Sequence, residues 1–312
     1  MSTSGKTDQL LLEDGALRDG LQSETRIFSL DEKRTLFQKL QKAGVAQIQA
    51  GSFVHPDIVP QMRDTDQLIR TLGTQQDTTV SALVLNAPGL DRALDCAVAH
   101  VSMSVSVSDT HSRKNIRQPA HTALTTMVTL IERAMGANLK VRAGLQCVFG
   151  CVYEGPVSEK AVLSAAEKMV QTGVQELNLA DTTGMATPLD VQHIIRRMDQ
   201  EFPHIRISLH LHDTRGLGLA NMWAGYEAGV RSFDVCAGGL GGCPFVRGAA
   251  GNVPTEDAVN MFENSGISTG IDLGRLCEAV EFLESKLGRR LPGRMKHVLA
   301  SQPGYPAQKD PR

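Results

Sequence analysis

The sequence has few aromatic residues, almost no excess of charge and no long apolar run. Phe, Trp and Tyr make up only 4% of its 312 residues, and the formal net charge at pH 7 is −2. A nearly neutral chain gives no electrostatic reason to expect nucleic acid or an anionic membrane as its partner. Because no apolar run approaches the length of about 20 residues that crosses a bilayer, we also expect no membrane segment.

The sequence also has neither a secretion signal nor a disulfide framework. Its first nine residues are polar and contain no apolar stretch of the kind that a signal peptide requires. The six cysteines follow no regular spacing: Cys96, Cys147, Cys151, Cys236, Cys243 and Cys277. They therefore indicate free thiols and a cytoplasmic protein. Cys147 and Cys151 could form a metal or redox pair, but no second pair completes a zinc site, which favours core or loop residues.

What the sequence does contain is a repeated alternation of strand and helix patterns. Its hydrophobic content of 41% is sufficient for a large core. Helix signals, such as a capping box of Ser29 and Glu32 before an apolar period that ends at Gly44, separate eight strand-like segments. We place these strands at residues 9–13, 45–50, 78–85, 100–107, 140–149, 176–180, 205–212 and 232–237.

This alternation predicts an α/β protein. Each β-α repeat implies parallel strands with right-handed crossovers, and eight repeats in about 250 residues or more match a TIM (β/α)8 barrel. A doubly wound open sheet is the competing architecture, but no glycine-rich dinucleotide fingerprint follows the first strand. We predict the barrel over residues 10–290 after a polar segment 1–9, with additional helices over 255–266 and 273–287. Residues 291–312 lack a core pattern and are predicted to form a mobile tail.

The strongest chemical signal lies between Ile207 and Asn252. His210 and His212 are two residues apart in a β-prone run, so both side chains lie on one face of the strand. Two imidazoles on one face provide half of a divalent-metal site. A glycine-rich loop follows, which carries Cys243 and can approach a ligand closely. Each signal alone is common, since such histidines often only cover a sheet end and such glycines often only form a turn, but together they favour a site.

Other polar residues follow the predicted strands at the same end of the barrel, where active sites of this fold are built. Arg18 and Asp19 follow the first strand, Gln49 ends the second and Asp181 follows the sixth. Together with the histidines and Asn252 they form a mixed nitrogen and oxygen set. Such a set suits Mg²⁺ or Mn²⁺ better than structural zinc.

Five segments of the chain resemble the 3-hydroxy-3-methylglutaryl-CoA lyases: LRDGLQSE, GSFVHPDIVPQM, NLADTTGMATP, LHLHDT and GLGGCPFVRGAAGNVPTED. The resemblance extends from about Leu10 to about Leu287. It implies a metal-dependent TIM barrel that cleaves a 3-hydroxyacyl-CoA, a small-molecule substrate, into acetyl-CoA and a keto acid. A homodimer is expected from the resemblance alone.

The resemblance also implies a role for individual residues. Four of them match the family's metal ligands: Asp19, His210, His212 and Asn252. Arg18 matches the arginine that stabilises the developing enolate oxygen, and Cys243 matches a loop cysteine near the reacting carbon. Two further acidic residues, Asp181 and Glu256, match positions implicated in activity.

Proton transfer and coenzyme A binding leave alternatives open. Asp181 or His210 is expected to take the proton from the substrate hydroxyl, and Cys243 or His210 is expected to protonate the enolate. Arg113 and Lys114 follow the fourth strand and could bind the phosphates of coenzyme A, although the same charges also suit a solvated helix start.

One position departs from the family pattern. Gln49 occupies the place of a glutamate at the end of the second strand, and Ala16 and Leu17 replace a Gly-Pro pair before Arg18. An amide keeps hydrogen bonding but cannot ionise, so a changed acyl group is expected.

Two other functions stay open on the sequence alone. The first is an acyltransferase of the isopropylmalate or homocitrate synthase type, which usually has an extra C-terminal domain that this sequence does not show. The second is a barrel that binds a metal and CoA esters without turnover.

Overall fold

Eight parallel strands form a closed barrel in the computed structural model, which describes residues 10–242 and 251–301. The strands are β1 Leu11–Asp14, β2 Gln47–Ser52, β3 Thr79–Leu83, β4 His100–Ser106, β5 Lys140–Gln146, β6 Glu176–Ala180, β7 Arg206–His210 and β8 Ser232–Val235. Each strand pairs in parallel with the next, and β8 pairs with β1 to close the barrel. The TIM-barrel prediction is therefore confirmed.

Helices follow the strands and cover the outside of the barrel. They are α1 Leu30–Lys42, α2 Thr65–Leu72, α3 Ala87–Asp95, α4 Asp109–Ile116, α5 Ala120–Gly136, α6 Glu159–Val170, α7 Pro188–Glu201, α8 Gly218–Glu227, α9 Thr255–Asn264, α10 Leu273–Leu287 and α11 Met295–Ala300. The capping box predicted at Ser29 and Glu32 begins α1. Within the described ranges, none of these helices has the length and hydrophobicity to cross a membrane.

The apolar core lies between the strands and the helices. Ile48, Leu177, Leu209 and Phe233 occupy alternate strand positions and are completely buried. Burying one such side chain stabilises the fold by roughly 1.5–3 kcal/mol. The intervening residues of each strand face the barrel interior, because successive side chains of a strand point to opposite sides.

The barrel interior is polar and charged. Arg142 of β5 is only 3% exposed, and its Nη1 atom lies 2.5 Å from Glu13 Oε2 of β1 and 2.8 Å from Asp234 Oδ1 of β8. A buried cation is tolerated only when paired charges and hydrogen bonds compensate for its lost hydration. The two carboxylates provide this compensation, so one ionic cluster joins three strands below the mouth of the barrel.

Besides α11, two local elements were not predicted from the sequence. Residues Ala16–Gly20, expected as part of a loop, form a single turn of π-helix. Residues Asp109–Ile116 form the additional short helix α4 between β4 and α5, with the Ser108 side chain capping its first turn.

Residues 291–301, predicted as part of a mobile tail, pack against the rest of the fold. Leu291 is only 3% exposed, and the backbone N–H of Gly293 donates to Gly238 O at 3.1 Å. The Asp257 side chain accepts the N–H groups of Arg294 and Met295 and so organises the start of α11. Composition alone did not reveal these contacts, because they join this segment to distant parts of the chain. Residues 302–312, like residues 1–9, lie outside the described structure.

The cysteines of the described residues are free and buried, in agreement with their interpretation as core or loop thiols. Cys151 accepts a hydrogen bond from Ser108 Oγ at 3.1 Å. Burial raises the pKa of Cys147 to about 12, so this thiol is un-ionised at neutral pH. Cys243 lies outside the described residues.

Candidate active site

A polar cavity opens at the carboxyl ends of the strands. It contains ≈ 980 Å³ of empty space, including the part open to solvent, and Arg18, Asp19, Gln49, His210 and His212 are among the residues that line it. The sequence analysis predicted all five at this end of the barrel. A cavity at the mouth of a barrel is a typical place for a small-molecule ligand.

Arg18 and Asp19 reach the cavity from the turn of π-helix that follows β1. Asp14 holds this turn in place, because its Oδ1 atom accepts the Ala16 N–H at 2.8 Å. Its Oδ2 atom accepts the Ala237 N–H at 2.9 Å and the Thr255 hydroxyl at 2.6 Å. Burial raises the pKa of Asp14 to about 6. One carboxylate therefore ties the turn to the segment after β8 and to the start of α9.

Asp19, His210 and His212 form a cluster whose potential ligand atoms all lie within 4.8 Å of one another. His210 Nδ1 lies 3.1 Å from Asp234 Oδ2, and His212 Nδ1 lies 3.0 Å from the carbonyl oxygen of Thr182. A carboxylate and a carbonyl only accept hydrogen bonds, so both Nδ1 atoms carry the proton. Both Nε2 atoms then present lone pairs.

The two Nε2 atoms face each other at 3.2 Å. Lone pairs at this distance repel, and a cation between or beside them removes the repulsion. The arrangement of the two imidazoles therefore fits a bound metal ion.

Asn252 completes the set of candidate ligands. Its Nδ2 atom donates to Asp19 Oδ2 at 2.6 Å and to Leu240 O at 3.0 Å. These two hydrogen bonds fix the orientation of the side-chain amide. Its Oδ1 atom is buried and has no hydrogen-bond partner in the part of the chain that the structure describes. A buried carbonyl oxygen is costly without a partner, and a metal ion would satisfy it. The four residues present therefore fit a divalent cation.

Gly241 allows the loop after β8 to approach these ligands. Its φ angle is +89°, and a Cβ atom there would lie 2.5 Å from Asn252 Nδ2 and 3.1 Å from Asp19 O. Glycine avoids both the strain of a positive φ and the contact with Asn252. A larger residue would push the loop away from the metal ligands.

The protonation states at neutral pH also suit a metal. Burial raises the pKa of Asp19, but the Arg18 guanidinium, with smaller contributions from the two neighbouring histidines and the Asn252 hydrogen bond, lowers it to about 2. Burial, followed by the charge of His210, lowers the pKa of His212 to about 4. Asp19 is therefore ionised and His212 neutral, as metal coordination requires.

Arg18 connects the cluster of candidate metal ligands to Gln49. Its Nε atom donates to Gln49 Oε1 and its Nη1 atom donates to Asp19 Oδ1, while Nη2 makes no hydrogen bond within the described residues. The guanidinium is permanently charged and lines the cavity. Two of its nitrogen atoms are thus used for orientation, and the third remains available for an anionic ligand.

The Gln49 amide has a defined orientation. Because Arg18 only donates, Oε1 must face Arg18, and Nε2 then donates to Ser102 Oγ at 3.2 Å. The Ser102 oxygen also accepts from Arg142 Nη2 at 3.1 Å. The register of β2 against β3 shifts immediately after Gln49, and a bulge of this kind redirects side chains near active sites. Gln49 and Ser102 therefore connect the guanidinium groups of Arg18 and Arg142 without adding a charge.

The structure does not bring Asp181 into the cavity. The Asp181 side chain accepts the N–H groups of Met185 and Ala186 at 2.8 and 3.2 Å and is almost completely buried. Burial raises its pKa to about 6. This carboxylate therefore organises the loop after β6, and its expected role as the acceptor of the substrate proton does not fit its direction.

Glu256 is also turned away from the cavity. It is completely buried at the start of α9, and its Oε2 atom accepts the Gly238 N–H at 3.0 Å. Burial raises its pKa to about 8, so the side chain is mainly neutral at pH 7. A Cβ atom on Gly293 would lie only 1.8 Å from Glu256 Oε1. Glu256 thus packs between the loop after β8 and the segment before α11, without reaching the reacting groups.

Arg113 and Lys114 are not among the residues that line the cavity. Arg113 Nε lies 2.6 Å from Asp109 Oδ2, and Lys114 Nζ lies 4.7 Å from the centre of the Tyr153 ring. The same helix, α4, contributes His111 and Asn115 to the cavity lining. Arg113 and Lys114 are therefore placed beside the mouth, and their role towards coenzyme A stays a prediction.

Asp234 also lines the cavity, and the sequence analysis did not identify it. It pairs with His210 across β7 and β8 and contacts the His210 ring. The alternation in Ser232–Val235 could have indicated an inward-facing carboxylate, but not its partner.

Comparisons with known proteins identify the family of this chain. The family model described as HMGL-like matches residues 9–283. A hydroxymethylglutaryl-CoA lyase of Bacillus subtilis is 39% identical over 91% of this chain and 95% of its own length. An (R)-citramalyl-CoA lyase of Chloroflexus aurantiacus is 38% identical over 91% of this chain and 93% of its own length.

Solved structures give the same result. The crystal structure of a B. subtilis HMG-CoA lyase has a TM-score of 0.91 and 37% identity, over 95% of this chain and 99% of that one. An Acinetobacter baumannii HMG-CoA lyase in complex with coenzyme A and 3-methylmalate has a TM-score of 0.88 and 36% identity, over 95% of this chain and 97% of that one. The resemblance found in the sequence is confirmed, and the chain belongs to the HMGL-like family.

Proposed function

We propose that this protein is a carbon–carbon lyase that cleaves a 3-hydroxyacyl-CoA into acetyl-CoA and a keto acid. The observation that carries the proposal is the pair of facing Nε2 atoms of His210 and His212 beside Arg18, at the mouth of a barrel of the HMGL-like family. Hydroxymethylglutaryl-CoA lyases and a citramalyl-CoA lyase are among its relatives. Mg²⁺ or Mn²⁺ is the proposed cofactor, and a cytoplasmic homodimer remains a prediction.

The proposed ligands of the cation are Asp19, His210, His212 and Asn252. A divalent cation supplies Lewis-acid polarisation to the hydroxyl oxygen and the neighbouring oxygen of the substrate. Arg18 holds the oxygen on which negative charge develops as the C2–C3 bond breaks, since its Nη2 atom makes no hydrogen bond to the residues that the structure describes.

Proton transfer completes the reaction. The hydroxyl loses its proton, the electrons of the C2–C3 bond form the thioester enolate, and a proton added at C2 gives acetyl-CoA. Of the two residues expected to accept the hydroxyl proton, His210 lines the cavity and Asp181 does not. His210 can take this proton only on Nε2, and only while that atom is not bound to the cation, because Nδ1 already carries a proton. Asp234 lies behind the His210 ring and can stabilise an added positive charge. Cys243 is the proposed donor to C2.

Acetyl-CoA release from a panel of 3-hydroxyacyl-CoA esters tests the proposal. Hydroxymethylglutaryl-CoA, citramalyl-CoA and longer 3-hydroxyacyl-CoA esters are incubated with the protein and Mg²⁺ or Mn²⁺. We expect metal-dependent release from at least one ester. Condensation of acetyl-CoA with a keto acid, without cleavage at any ester concentration, would favour the acyltransferase. Ester binding without either reaction would favour the non-catalytic barrel.

Replacing Cys243 by serine is expected to lower turnover by roughly two or more orders of magnitude, as for other proton donors. A serine hydroxyl has a much higher pKa than a thiol and is a poorer acid near neutral pH. Initial rates on the best ester of the panel measure the effect. Cys96→Ser is the matched control, because Cys96 lies after α3, away from the cavity. Equal rates in Cys243→Ser and wild type, together with insensitivity to alkylation, would contradict the role.

Replacing Gln49 by glutamate is expected to change substrate preference. Glutamate is the residue that the resemblance gives to hydroxymethylglutaryl-CoA lyases at this position, whereas its negative charge beside Arg18 would disfavour an acyl group that the neutral amide accepts. We expect kcat/KM to rise for hydroxymethylglutaryl-CoA and to fall for the preferred ester, so that their ratio changes on the order of tenfold. Gln146→Glu is the control, since Gln146 also lines the cavity and donates to Ser104 without contacting Arg18. An equal gain on every ester would show that Gln49 only weakens the enzyme.

A further inference from the structure

Asp234 is buried in the barrel interior and contacts a proposed metal ligand, but the reaction as described uses it only as a neighbour of His210. We propose that Asp234 is a positioning residue that holds His210 in the tautomer with a free Nε2 atom, and that Arg142 holds Asp234 for this purpose. This inference rests on the proposed function, because it concerns the same metal site. It gives the ionic cluster inside the barrel a role in orienting a proposed metal ligand.

All the hydrogen-bond partners of Asp234 within the described residues are donors or can be donors. Arg142 Nη1 donates to Oδ1 at 2.8 Å, and Arg142 Nη2 lies 3.4 Å from Oδ2. Asn178 Nδ2 donates to Oδ2 at 3.3 Å, and His210 Nδ1 lies 3.1 Å from the same oxygen. The carboxylate therefore accepts on both oxygens. His210 can join this arrangement only with a proton on Nδ1.

Arg142 cannot move to relax this arrangement. Its side chain is 3% exposed and contacts Glu13 as well as Asp234, and its Nε and Nη2 atoms donate to Ser102 Oγ at 3.3 and 3.1 Å. Residues of three other strands, β1, β4 and β8, thus fix the position of one guanidinium. Because Arg142 is fixed in its plane, the bidentate contact also fixes the plane of the Asp234 carboxylate. A histidine ring oriented in this way keeps one tautomer and one direction.

An asparagine at position 234 would reverse the tautomer. Its single oxygen would have to face Arg142, since a guanidinium cannot accept a hydrogen bond. Its NH₂ group would then face His210 Nδ1, which must become the acceptor, and the proton would move to Nε2. At 3.2 Å that Nε2–H group would donate to His212 Nε2. The two histidines would satisfy each other and no longer offer a pair of ligands.

Two measurements test the inference. The first records ¹⁵N shifts of histidine-labelled wild-type protein without added metal at pH 8, where we expect His210 to have a protonated Nδ1 atom and a bare Nε2 atom. The second compares Mn²⁺ affinity in wild type and Asp234→Asn by titration calorimetry. We expect the variant to bind Mn²⁺ about 10–100-fold more weakly and to show a protonated Nε2 atom on His210.

Glu176→Gln is the matched control for charge. Glu176 Oε1 lies 4.0 Å from Arg142 Nη1, so the variant removes one negative charge from the same cluster. No hydrogen bond or ion pair joins Glu176 to His210 in the described structure. We expect its Mn²⁺ affinity to stay within about twofold of wild type, because the His210 tautomer is unchanged.

The outcomes distinguish a positioning role of Asp234 from an effect of its negative charge alone. Equal losses of Mn²⁺ affinity in Asp234→Asn and Glu176→Gln, with the His210 tautomer unchanged, would overturn the inference. A protonated Nε2 atom on His210 in the wild type would overturn it without any variant, even if Asp234→Asn does not fold. The expected tautomer and Mn²⁺ results, without acetyl-CoA release from any ester, would support the positioning role and reject the proposed activity.

Discussion

Replacing His210 or Asp19 by alanine should remove metal-dependent activity while the fold remains intact. Each change deletes one of four proposed ligands, and the remaining residues cannot restore the set, because their atoms are already oriented by Asp234, Thr182 and Leu240. Loss of Lewis-acid assistance is worth several kcal/mol, which corresponds to a decrease in turnover of about a thousandfold or more.

The fold should survive both changes because neither side chain belongs to the apolar core. Asp19 and His210 line the cavity at the mouth of the barrel, whereas the core lies between strands and helices. Metal content by elemental analysis, turnover on the best ester and a thermal melt by circular dichroism are measured together. His193→Ala is the control, since His193 lies exposed on α7 and pairs with Glu159. Unchanged metal content in both ligand variants would reject the proposed site.

The fold and half of the site could be predicted because they depend on short-range patterns. Period-two and helical patterns predicted eight strands and their order, and the spacing of His210 and His212 predicted a shared face. The structure contains both the eight strands in this order and the two histidines side by side. The parts that depend on the resemblance, Asp19 and Asn252, also reach the cluster, as shown by the contact of Asn252 Nδ2 with Asp19 Oδ2.

The rest of the site depends on the direction of side chains, which the sequence does not contain. Asp181 was expected in the cavity because it follows β6, and Glu256 because it matches a family position implicated in activity, yet both accept backbone N–H groups of neighbouring loops. Asp234 was overlooked for the opposite reason. It has no motif of its own, and its contact with His210 follows from the register between β7 and β8. The directions of these three side chains are set by hydrogen bonds that only the folded chain brings together.

Replacing Arg18 by methionine should lower kcat by roughly a hundred- to a thousandfold and leave Mn²⁺ affinity equal or higher. The guanidinium provides the permanent positive charge beside the proposed metal ligands, and removal of one oxyanion donor typically costs roughly 2.7–4 kcal/mol. Without Arg18, Asp19 keeps its proposed coordination and loses a competing cation, which favours metal binding. A methionine has a similar length, so the turn of π-helix should persist.

Arg18→Lys is expected to restore only part of the lost rate. A lysine carries the charge but lacks the planar group that reaches Gln49, Asp19 and a ligand at the same time. Arg133→Met, at a surface pair with Asp91, is the control for loss of one positive charge. Steady-state kcat and KM on the preferred ester, together with Mn²⁺ titration, distinguish the roles. A rise in KM at constant kcat would assign Arg18 to binding of the substrate, because an interaction that acts only in the transition state lowers kcat. A parallel loss of Mn²⁺ affinity would instead make Arg18 a support for Asp19, and the proposed contact with the enolate oxygen would be wrong.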